Sequence, residues 1–226
     1  MTTIQPRRFP TLAAFEQALT ERLEQAISTP EAGRAAVMLS GGRTPLPVYR
    51  ELGKKRPRPA PGLRLLYSDD RYVPSSAEAS NYYQSSPLVD ALSLPEGAVL
   101  RVRTELPLEK AAADYEQQLA ALLRSGARIG LGLLGLGADG HTASLFSAAD
   151  LEQARGRLAL AVQRPDGLQG VSVTPDLLSG VGELLFLVTG ADKHAIVEAF
   201  LKRDSNLIAR RAVAGCPNVQ IWIAEQ

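Results

Sequence analysis

Apolar residues recur along this chain with two different spacings, and each spacing predicts one kind of secondary structure. In residues 11–28 they fall three or four positions apart, which places them on one face of a helix. The same spacing predicts helices over residues 106–124 and 193–201, and a further helix is expected to end near Leu52. Each of these helices has an apolar face to bury against a core.

Short apolar runs between the helices predict strands. Residues 129–136 are apolar or glycine at every position, as in a strand covered on both faces, so we expect this strand at the centre of the sheet. Further strands are predicted over residues 35–39, 63–67, 99–102, 158–162, 171–173, 183–188 and 219–223. Strands that alternate with helices favour an α/β fold with a mostly parallel sheet between helical layers. No linker interrupts the pattern, so we expect one domain over residues 1–226.

Composition and charge narrow the class of partner. Of the 226 residues, 45% are hydrophobic and 22% are charged, which is typical of a globular domain with a sizeable core. The formal net charge is +1, so no overall field attracts nucleic acid or an anionic membrane, and any anion must bind at a local site. We therefore expect a small-molecule partner, with no nucleic acid and no membrane.

Cysteine use and the length of the apolar runs indicate the compartment. Cys216 is the only cysteine, which excludes an internal disulfide and a cysteine metal cluster and suits a reducing cytosol. No apolar stretch approaches the ~18 residues that a membrane span needs. We expect a cytoplasmic protein that is a monomer or a small homo-oligomer.

The candidate chemistry begins in the turn GADGH, which follows the strand over residues 129–136. Ligands of open α/β sheets collect beyond the carboxyl ends of the strands, so Asp139 and His141 lie where catalytic side chains are expected. Thr142 is expected to cap a following helix. The alternative is that Asp139 forms the turn and His141 is a surface side chain, since turn chemistry accounts for the aspartate and the glycines equally well.

A second strand end carries the glycine-rich turn SGGRTP over residues 40–45. Its two glycines allow backbone N–H groups to approach a ligand, and Thr44 followed by Pro45 is a suitable start for a helix. A helix N-terminus opened by glycines binds anions, whereas the spacing fits no nucleotide fingerprint. A tight turn without a ligand would explain the glycines but leave Arg43 without a role. The candidate phosphate ligands are Ser40, Gly41, Gly42, Arg43 and Thr44.

A third strand end carries the sequence SDDRYVP over residues 68–74. Asp69 and Asp70 point to opposite sides of an extended segment, so at most one of them can face a shared pocket, and Asp69 is the candidate for substrate binding. The planar guanidinium of Arg71 suits a phosphate. Equally, an Asp-Arg pair at a strand end is often only a structural ion pair.

A fourth strand end, TGADK over residues 189–193, places a lysine in the first turn of a predicted helix. The positive charge of Lys193 is unfavourable at the positive end of the helix dipole, and a nearby anion would offset this cost. The neighbouring His194 is expected to pack at the surface as a bystander.

The four strand ends together offer an anion cradle, two cations and an Asp/His pair. The sequence carries no metal-ligand spacing, no cysteine nucleophile and no Gly-x-Ser-x-Gly elbow. A phosphorylated small molecule processed by a histidine general base fits this set, with no metal and no cofactor.

The four motifs resemble, in the same order, those of the 6-phosphogluconolactonases of the pentose phosphate pathway. They are SGGRTP at 40–45, DDRYVP at 69–74 followed by Ser80 and Asn81, LGLGADGHTASLF at 134–146 and TGADK at 189–193. The resemblance covers essentially the whole chain. It implies a Rossmann-like three-layer α/β/α fold, shared with glucosamine-6-phosphate deaminases, and hydrolysis of 6-phospho-D-glucono-1,5-lactone.

The resemblance also implies roles for the candidate residues. It makes His141 the general base for the water that attacks the lactone carbonyl, with Asp139 beside it. It assigns Arg71 and Lys193 to the substrate phosphate, helped by the backbone of the glycine-rich turn. Whether Asp139 or Asp69 orients the imidazole stays open, and only proximity in the sequence favours Asp139.

The chain departs from that family's pattern at several positions. Gly170 stands where an arginine commonly opens the corresponding strand, and this departure is the one that could alter ligand contacts. The peripheral departures are Asp70 in place of Glu, Ser147 in place of Pro, LIARR over 207–211 in place of a Leu-Pro-Ala pattern, and a C-terminal IWIAEQ without the usual Asp.

Two other functions are alternatives. Glucosamine-6-phosphate deaminases have a glutamate a few residues after the histidine and a tyrosine at the position of Arg71, whereas residues 142–147 hold no carboxylate. A non-catalytic sugar-phosphate sensor fused to a DNA-binding module has little support, because the sequence offers neither a segment for such a module nor a basic patch.

Overall fold

Strands and helices alternate along most of the chain in the computed structural model, which describes residues 2–29, 35–202 and 205–225. The strands are β1 (Ile4–Phe9), β2 (Ala36–Leu39), β3 (Arg64–Tyr67), β4 (Asp69–Arg71), β5 (Ile129–Gly135), β6 (Ala159–Gln163), β7 (Gln169–Val173), β8 (Glu183–Thr189) and β9 (Val219–Ala224). The helices are α1 (Leu12–Ser28), α2 (Leu46–Lys55), α3 (Asn81–Leu92), α4 (Leu108–Arg124), α5 (Ala148–Gln153), α6 (Pro175–Ser179), α7 (His194–Leu201) and α8 (Ile208–Ala212). The prediction of one domain over 1–226 includes positions 1, 30–34, 203–204 and 226, which lie outside the described residues.

The main sheet has six strands in the order β1-β9-β8-β5-β2-β3. Every neighbouring pair in it runs parallel, so the chain must cross over one face or the other between paired strands. β5 lies inside the sheet, as its uniformly apolar sequence predicts. The predicted α/β fold with a mostly parallel sheet is confirmed.

Both faces of this sheet are buried, which gives three layers. Successive side chains of a strand point to opposite faces, and in β2 Val37 and Met38 belong to different apolar clusters. Val37 shares its cluster with Phe15 of α1 and Tyr49 of α2, whereas Met38 shares the other with Tyr115 of α4. Helices therefore cover the sheet on both sides.

The predicted helices over 11–28, 106–124 and 193–201 are present as α1, α4 and α7, each beginning one or two residues later than expected. The helix expected to end near Leu52 is α2, which continues to Lys55. Among the residues that the structure describes, none of these helices combines the length and apolar character that a membrane crossing requires.

A second sheet of three antiparallel strands, in the order β4-β7-β6, was not expected from the alternation of strands and helices. The turn over residues 164–168 joins β6 to β7, and the Arg164 N–H donates to the Leu168 carbonyl at 2.9 Å. A parallel pair needs a crossover of about a dozen residues, so a turn this short fixes the antiparallel pairing. Gly167, with φ of +81°, allows the chain to turn there.

One predicted strand is absent from the structure, and the strands β1 and β4 and the helices α3, α6 and α8 were not predicted. Residues 99–102 form no strand, because Val99 makes only an isolated bridge with Leu65. The helix α3 contains Pro87, a residue that is unfavourable inside a helix. Its signal was Ser80, whose hydroxyl accepts from the Tyr83 N–H and caps the helix.

Candidate active site

The carboxyl ends of β2, β3, β5 and β8 open onto two adjoining cavities. The smaller, called here the His141 cavity, has a volume of about 160 Å³ and is lined by His141, Asp69 and Arg71 among others. The larger, called the Lys193 cavity, has a volume of about 610 Å³ and contains Lys193 and the glycine-rich turn. Gly41 lines both cavities. The four strand ends singled out from the sequence therefore do meet at one edge of the sheet.

The turn after β5 needs its glycines. The Gly137 N–H donates to the His141 carbonyl at 2.9 Å, and the Gly140 N–H donates to the Gly137 carbonyl at 3.0 Å. Gly140 has a φ of +84°, which side chains disfavour. A Cβ at Gly137 would lie 2.1 Å from His141 Nδ1 and 2.4 Å from Asp139 Oδ1. Glycine at position 137 leaves the space that the imidazole and the carboxylate occupy.

Asp139 holds the imidazole of His141. Its Oδ1 is 2.5 Å from His141 Nδ1 and accepts from the His141 backbone N–H at 3.2 Å. Partial burial acts to raise the pKa of Asp139, but the hydrogen bonds from His141 outweigh it, so the pKa is lowered and the carboxylate is ionised. An ionised carboxylate only accepts hydrogen bonds, so Nδ1 carries the proton.

The other ring nitrogen of His141 is the one available to a reacting group. Nε2 has no hydrogen-bond partner in the parts of the chain that the structure describes. The side chain is 27% exposed, and its ring packs against Phe146 with centroids 4.4 Å apart. A neutral imidazole with Nδ1 fixed and Nε2 open can accept a proton from water.

Asp69 does not compete for the imidazole, because buried donors occupy its oxygens. Oδ1 accepts from Ser68 Oγ at 3.0 Å and from Asn81 Nδ2 at 3.2 Å. Oδ2 accepts from Ser144 Oγ at 2.7 Å. Of the two aspartates considered, the structure therefore places Asp139 against His141, while Asp69 forms the floor of the cavity.

Asp70 faces the start of α3, in agreement with the prediction that adjacent carboxylates point to opposite sides. Its oxygens accept from the Asn81 N–H at 2.7 Å, the Tyr82 N–H at 3.2 Å and the Ser80 hydroxyl at 3.1 Å. Burial outweighs these hydrogen bonds and raises the pKa of Asp70 to about 6. The role of Asp70 is to fix the end of α3 that carries Asn81 into the site.

Arg71 is held in the His141 cavity by Asn81. Its Nη1 donates to Asn81 Oδ1 and to the Ala79 carbonyl, the latter at 3.2 Å. Asn81 Nδ2 in turn donates to the Asp69 carbonyl at 2.8 Å. A Cβ at Gly41 would lie 1.8 Å from Asn81 Oδ1, so only glycine lets the turn after β2 pass over this amide. Asn81 thus positions the guanidinium beside the glycine-rich turn.

The glycine-rich turn is tied to two other elements. Gly42 has a φ of +97°, and its N–H donates to Gln84 Oε1 of α3 at 2.9 Å. The expectation that Thr44 caps α2 is wrong, because Pro45 occupies the cap position without a side-chain hydrogen bond. The Thr44 hydroxyl instead lies 3.0 Å from the hydroxyl of Thr189, at the end of β8.

Thr142 also differs from its predicted role as a helix cap. Its hydroxyl donates to the Gly135 carbonyl at 2.9 Å, which ties the loop back to β5. The next helix, α5, begins only after Ser147, whose side chain accepts from the Asp150 N–H while Asp150 bonds back in a capping box.

Lys193 lies in the segment that follows β8 and lines the Lys193 cavity. Its Nζ donates to the Leu136 carbonyl at 3.3 Å, just beyond the end of β5. Arg43 lines the same cavity, whereas Arg71 lines the other, and the two cavities meet at Gly41. His194 is exposed on α7.

Four polar side chains of the His141 cavity and its floor were not among the candidate residues. They are Ser68, Asn81, Ser144 and Arg164. The first three lie in or directly after the sequence motifs given above, which is the only sequence signal that pointed to them. Within the described ranges, no three His, Cys, Asp or Glu side chains group as metal ligands.

The fold and this arrangement of strand ends define a known family. The family model for glucosamine-6-phosphate isomerases/6-phosphogluconolactonase matches residues 10–221, and the chain belongs to that family. A 6-phosphogluconolactonase of Thermotoga maritima is 35% identical over 176 residues, which are 76% of this chain and 77% of that protein. The human 6-phosphogluconolactonase is 31% identical over 201 residues, 84% of this chain and 77% of that protein. The crystal structure of the Thermotoga maritima enzyme matches with a TM-score of 0.80 at 29% identity over 100% of both chains.

Proposed function

We propose that the chain hydrolyses 6-phospho-D-glucono-1,5-lactone to 6-phospho-D-gluconate, a step of the oxidative pentose phosphate pathway. The observation that carries this proposal is the imidazole of His141, fixed by Asp139 at 2.5 Å with Nε2 open, in a cavity that it shares with Arg71. The relatives named 6-phosphogluconolactonase support the choice of substrate.

The first chemical step is attack by water on C1 of the lactone. His141 Nε2 takes a proton from the water as its oxygen bonds to C1, and the electron pair of the carbonyl moves to the C1 oxygen. Asp139 stabilises the imidazolium that results, because its ionised carboxylate accepts from Nδ1. Neither metal nor cofactor takes part in this proposed step.

The second step breaks the ring. The electron pair on the C1 oxygen restores the carbonyl as the bond between C1 and the ring oxygen breaks. His141 returns its proton to that ring oxygen, which becomes a hydroxyl group. The product acid then loses a proton to water and leaves as a carboxylate, so histidine and aspartate end in their starting states.

The phosphate is proposed to bind where the two cavities meet. Arg71 faces this region from one cavity, and Lys193 and Arg43 line the other. Ser40, Gly41, Gly42 and Thr44 of the glycine-rich turn lie between them. The N–H groups of Ser40 and Gly42 donate to Tyr49 Oη and Gln84 Oε1, so the backbone N–H groups proposed to meet the anion are those of Gly41 and Thr44. Asp69 supports the site from below by holding Asn81.

The compartment and assembly belong to the same proposal. The reducing cytoplasm suits a chain with Cys216 as its single cysteine, and a net charge of +1 suits a small-molecule partner more than nucleic acid or an anionic membrane. We propose a cytoplasmic monomer or small homo-oligomer.

The reaction class can be tested with two substrates. Incubated with freshly prepared 6-phosphogluconolactone, the protein should release acid in proportion to its concentration. Incubated with glucosamine 6-phosphate, it should release no ammonia, since residues 142–147 hold no carboxylate. Ammonia release without lactone hydrolysis would instead support a deaminase.

Asp139→Asn should lower kcat by roughly 10- to 100-fold. Asparagine cannot fix the proton on Nδ1 as a carboxylate does, so part of the imidazole has its proton on Nε2 and cannot act as a base. The loss stays moderate because the Asp139 side chain is 55% exposed and water can replace it. Steady-state kinetics check this, and an unchanged kcat would remove Asp139 from the mechanism.

Gly137→Ala should lower kcat by about 10- to 100-fold, because its Cβ would lie 2.1 Å from His141 Nδ1 and displace the imidazole. The matched control is Gly180→Ala, whose Cβ would meet nothing closer than the Leu177 carbonyl oxygen at 3.5 Å. Equal activity of both variants would mean that the position of the imidazole does not govern the rate.

A further inference from the structure

Arg164 is a charged side chain that the proposed mechanism does not use. It opens the turn between β6 and β7, yet its side chain is only 9% exposed. Its Nη1 donates to Ser144 Oγ at 2.6 Å and lies 3.8 Å from Asp69 Oδ2. Nε and Nη2 both donate to Asp166 Oδ2 at 3.2 Å. This guanidinium lines the His141 cavity, so a permanent positive charge faces the site.

Arg164 lies at the end of the cavity where the imidazole stands. The ring of Phe146 contacts both groups, with Arg164 Cζ 5.2 Å from its centroid and the His141 ring centroid 4.4 Å from it. Arg71 is held from the other side of Asp69. The two arginines are therefore linked to different oxygens of Asp69, and Arg164 is the one that shares the Phe146 ring with His141.

Gly170 on β7 explains how this side chain reaches the cavity. A Cβ at Gly170 would lie 3.5 Å from Arg164 Cδ and 3.0 Å from the Asp70 carbonyl oxygen. The stem of Arg164 thus passes beside the place where a side chain of residue 170 would begin. In this chain the guanidinium enters the cavity from the turn, and the missing side chain at Gly170 leaves room for its stem.

We propose that Arg164 is a further catalytic residue, which donates from its guanidinium to the C1 oxygen of the lactone as negative charge forms there, and then to the carboxylate of the product. This rests on the proposed function. The arginine stays protonated throughout, because it only stabilises the electron pair that moves onto the C1 oxygen and back. The proton transfers remain with His141.

Asp166 indicates how an anionic oxygen fits against this guanidinium. Its carboxylate accepts from Nε and Nη2 of Arg164 at the tip of a short turn, and its side chain is 48% exposed. A carboxylate or an oxyanion from the substrate can replace it on that edge, while Ser144 and Asp69 keep Nη1 in place. Ser144 and Asp69 therefore fix one edge of the guanidinium, and a substrate oxygen can take the place of Asp166 on the other edge.

The test compares two inhibitors that share a phosphate, 6-phospho-D-gluconate and glucose 6-phosphate, of which only the first has a carboxylate. In Arg164→Gln we expect kcat to fall roughly 10- to 100-fold and the inhibition constant of 6-phosphogluconate to rise about tenfold, with that of glucose 6-phosphate unchanged. Arg164→Lys should recover part of both losses, since it keeps the charge but not the planar fork. The control is Arg155→Ala, a residue with a 76% exposed side chain, which should match the wild type.

Three results would overturn the proposal. One is an unchanged kcat and product affinity in Arg164→Gln. Another is equal weakening of both inhibitors together with a lower melting temperature, which would make Arg164 structural. The third is a lysine variant no better than glutamine. If the wild type fails to hydrolyse the lactone, the proposed function falls, but calorimetric affinities for the two inhibitors still decide whether Arg164 contacts a carboxylate.

Discussion

His141→Gln is expected to lower kcat for lactone hydrolysis by roughly 10²- to 10⁴-fold and to change KM little. Glutamine is similar in length and can still bond to Asp139, but it cannot take a proton from water at neutral pH. The loss therefore falls on the transition state and not on substrate binding. The measurement is the initial rate with the spontaneous opening of the lactone subtracted.

The matched control for this prediction is His194→Gln, because His194 is exposed on α7 and next to Lys193 in the sequence. It should retain the activity and melting temperature of the wild type. A His141→Gln variant as fast as the wild type would show that another group is the base. A variant that has lost activity and also unfolds at a lower temperature would need the more conservative His141→Asn before the role is assigned.

Arg71→Ala is expected to lower kcat/KM for the phosphorylated lactone by roughly 10²- to 10³-fold, mainly by raising KM. The guanidinium is held by Asn81 and the Ala79 carbonyl and lines the cavity. Its loss would remove the charge-assisted hydrogen bonds that we propose it makes to the phosphate. Lys193→Ala should act in the same direction and more weakly, since a lysine is a single point charge.

The control for the phosphate site is a second substrate that lacks the phosphate. Unphosphorylated gluconolactone should be a poor substrate of the wild type, and Arg71→Ala should leave the rate with it nearly unchanged. Equal use of both lactones by the wild type would contradict a phosphate site. A fall in kcat without a change in KM would instead place Arg71 at the reacting end.

The central strand and the turn that carries Asp139 and His141 could be predicted because their signals are local. Residues 129–136 are apolar at every position other than glycine, which suits a strand buried on both faces, and β5 is such a strand. The partner of His141 stands two positions away in the same turn. The contact between the two side chains is visible only in the structure, where Asp139 Oδ1 lies against His141 Nδ1 and Asp69 accepts hydrogen bonds from other residues.

The floor of the site could not be predicted, because its residues come from separate parts of the chain. Asn81 stands at the start of α3, Ser144 follows β5, and Arg164 opens the turn of the antiparallel sheet. Their meeting at Asp69 depends on the pairing of β4 with β7, which no local spacing reveals. Thr44 shows the same limit, because its hydroxyl contacts Thr189 across the sheet instead of capping its own helix.

The most direct test of the central claim is the initial rate of acid release from freshly generated 6-phospho-D-glucono-1,5-lactone, measured against protein concentration beside unphosphorylated gluconolactone. We expect a rate that rises in proportion to the protein, exceeds spontaneous opening and depends on the phosphate. A rate no higher than spontaneous opening at any protein concentration would contradict the proposed function.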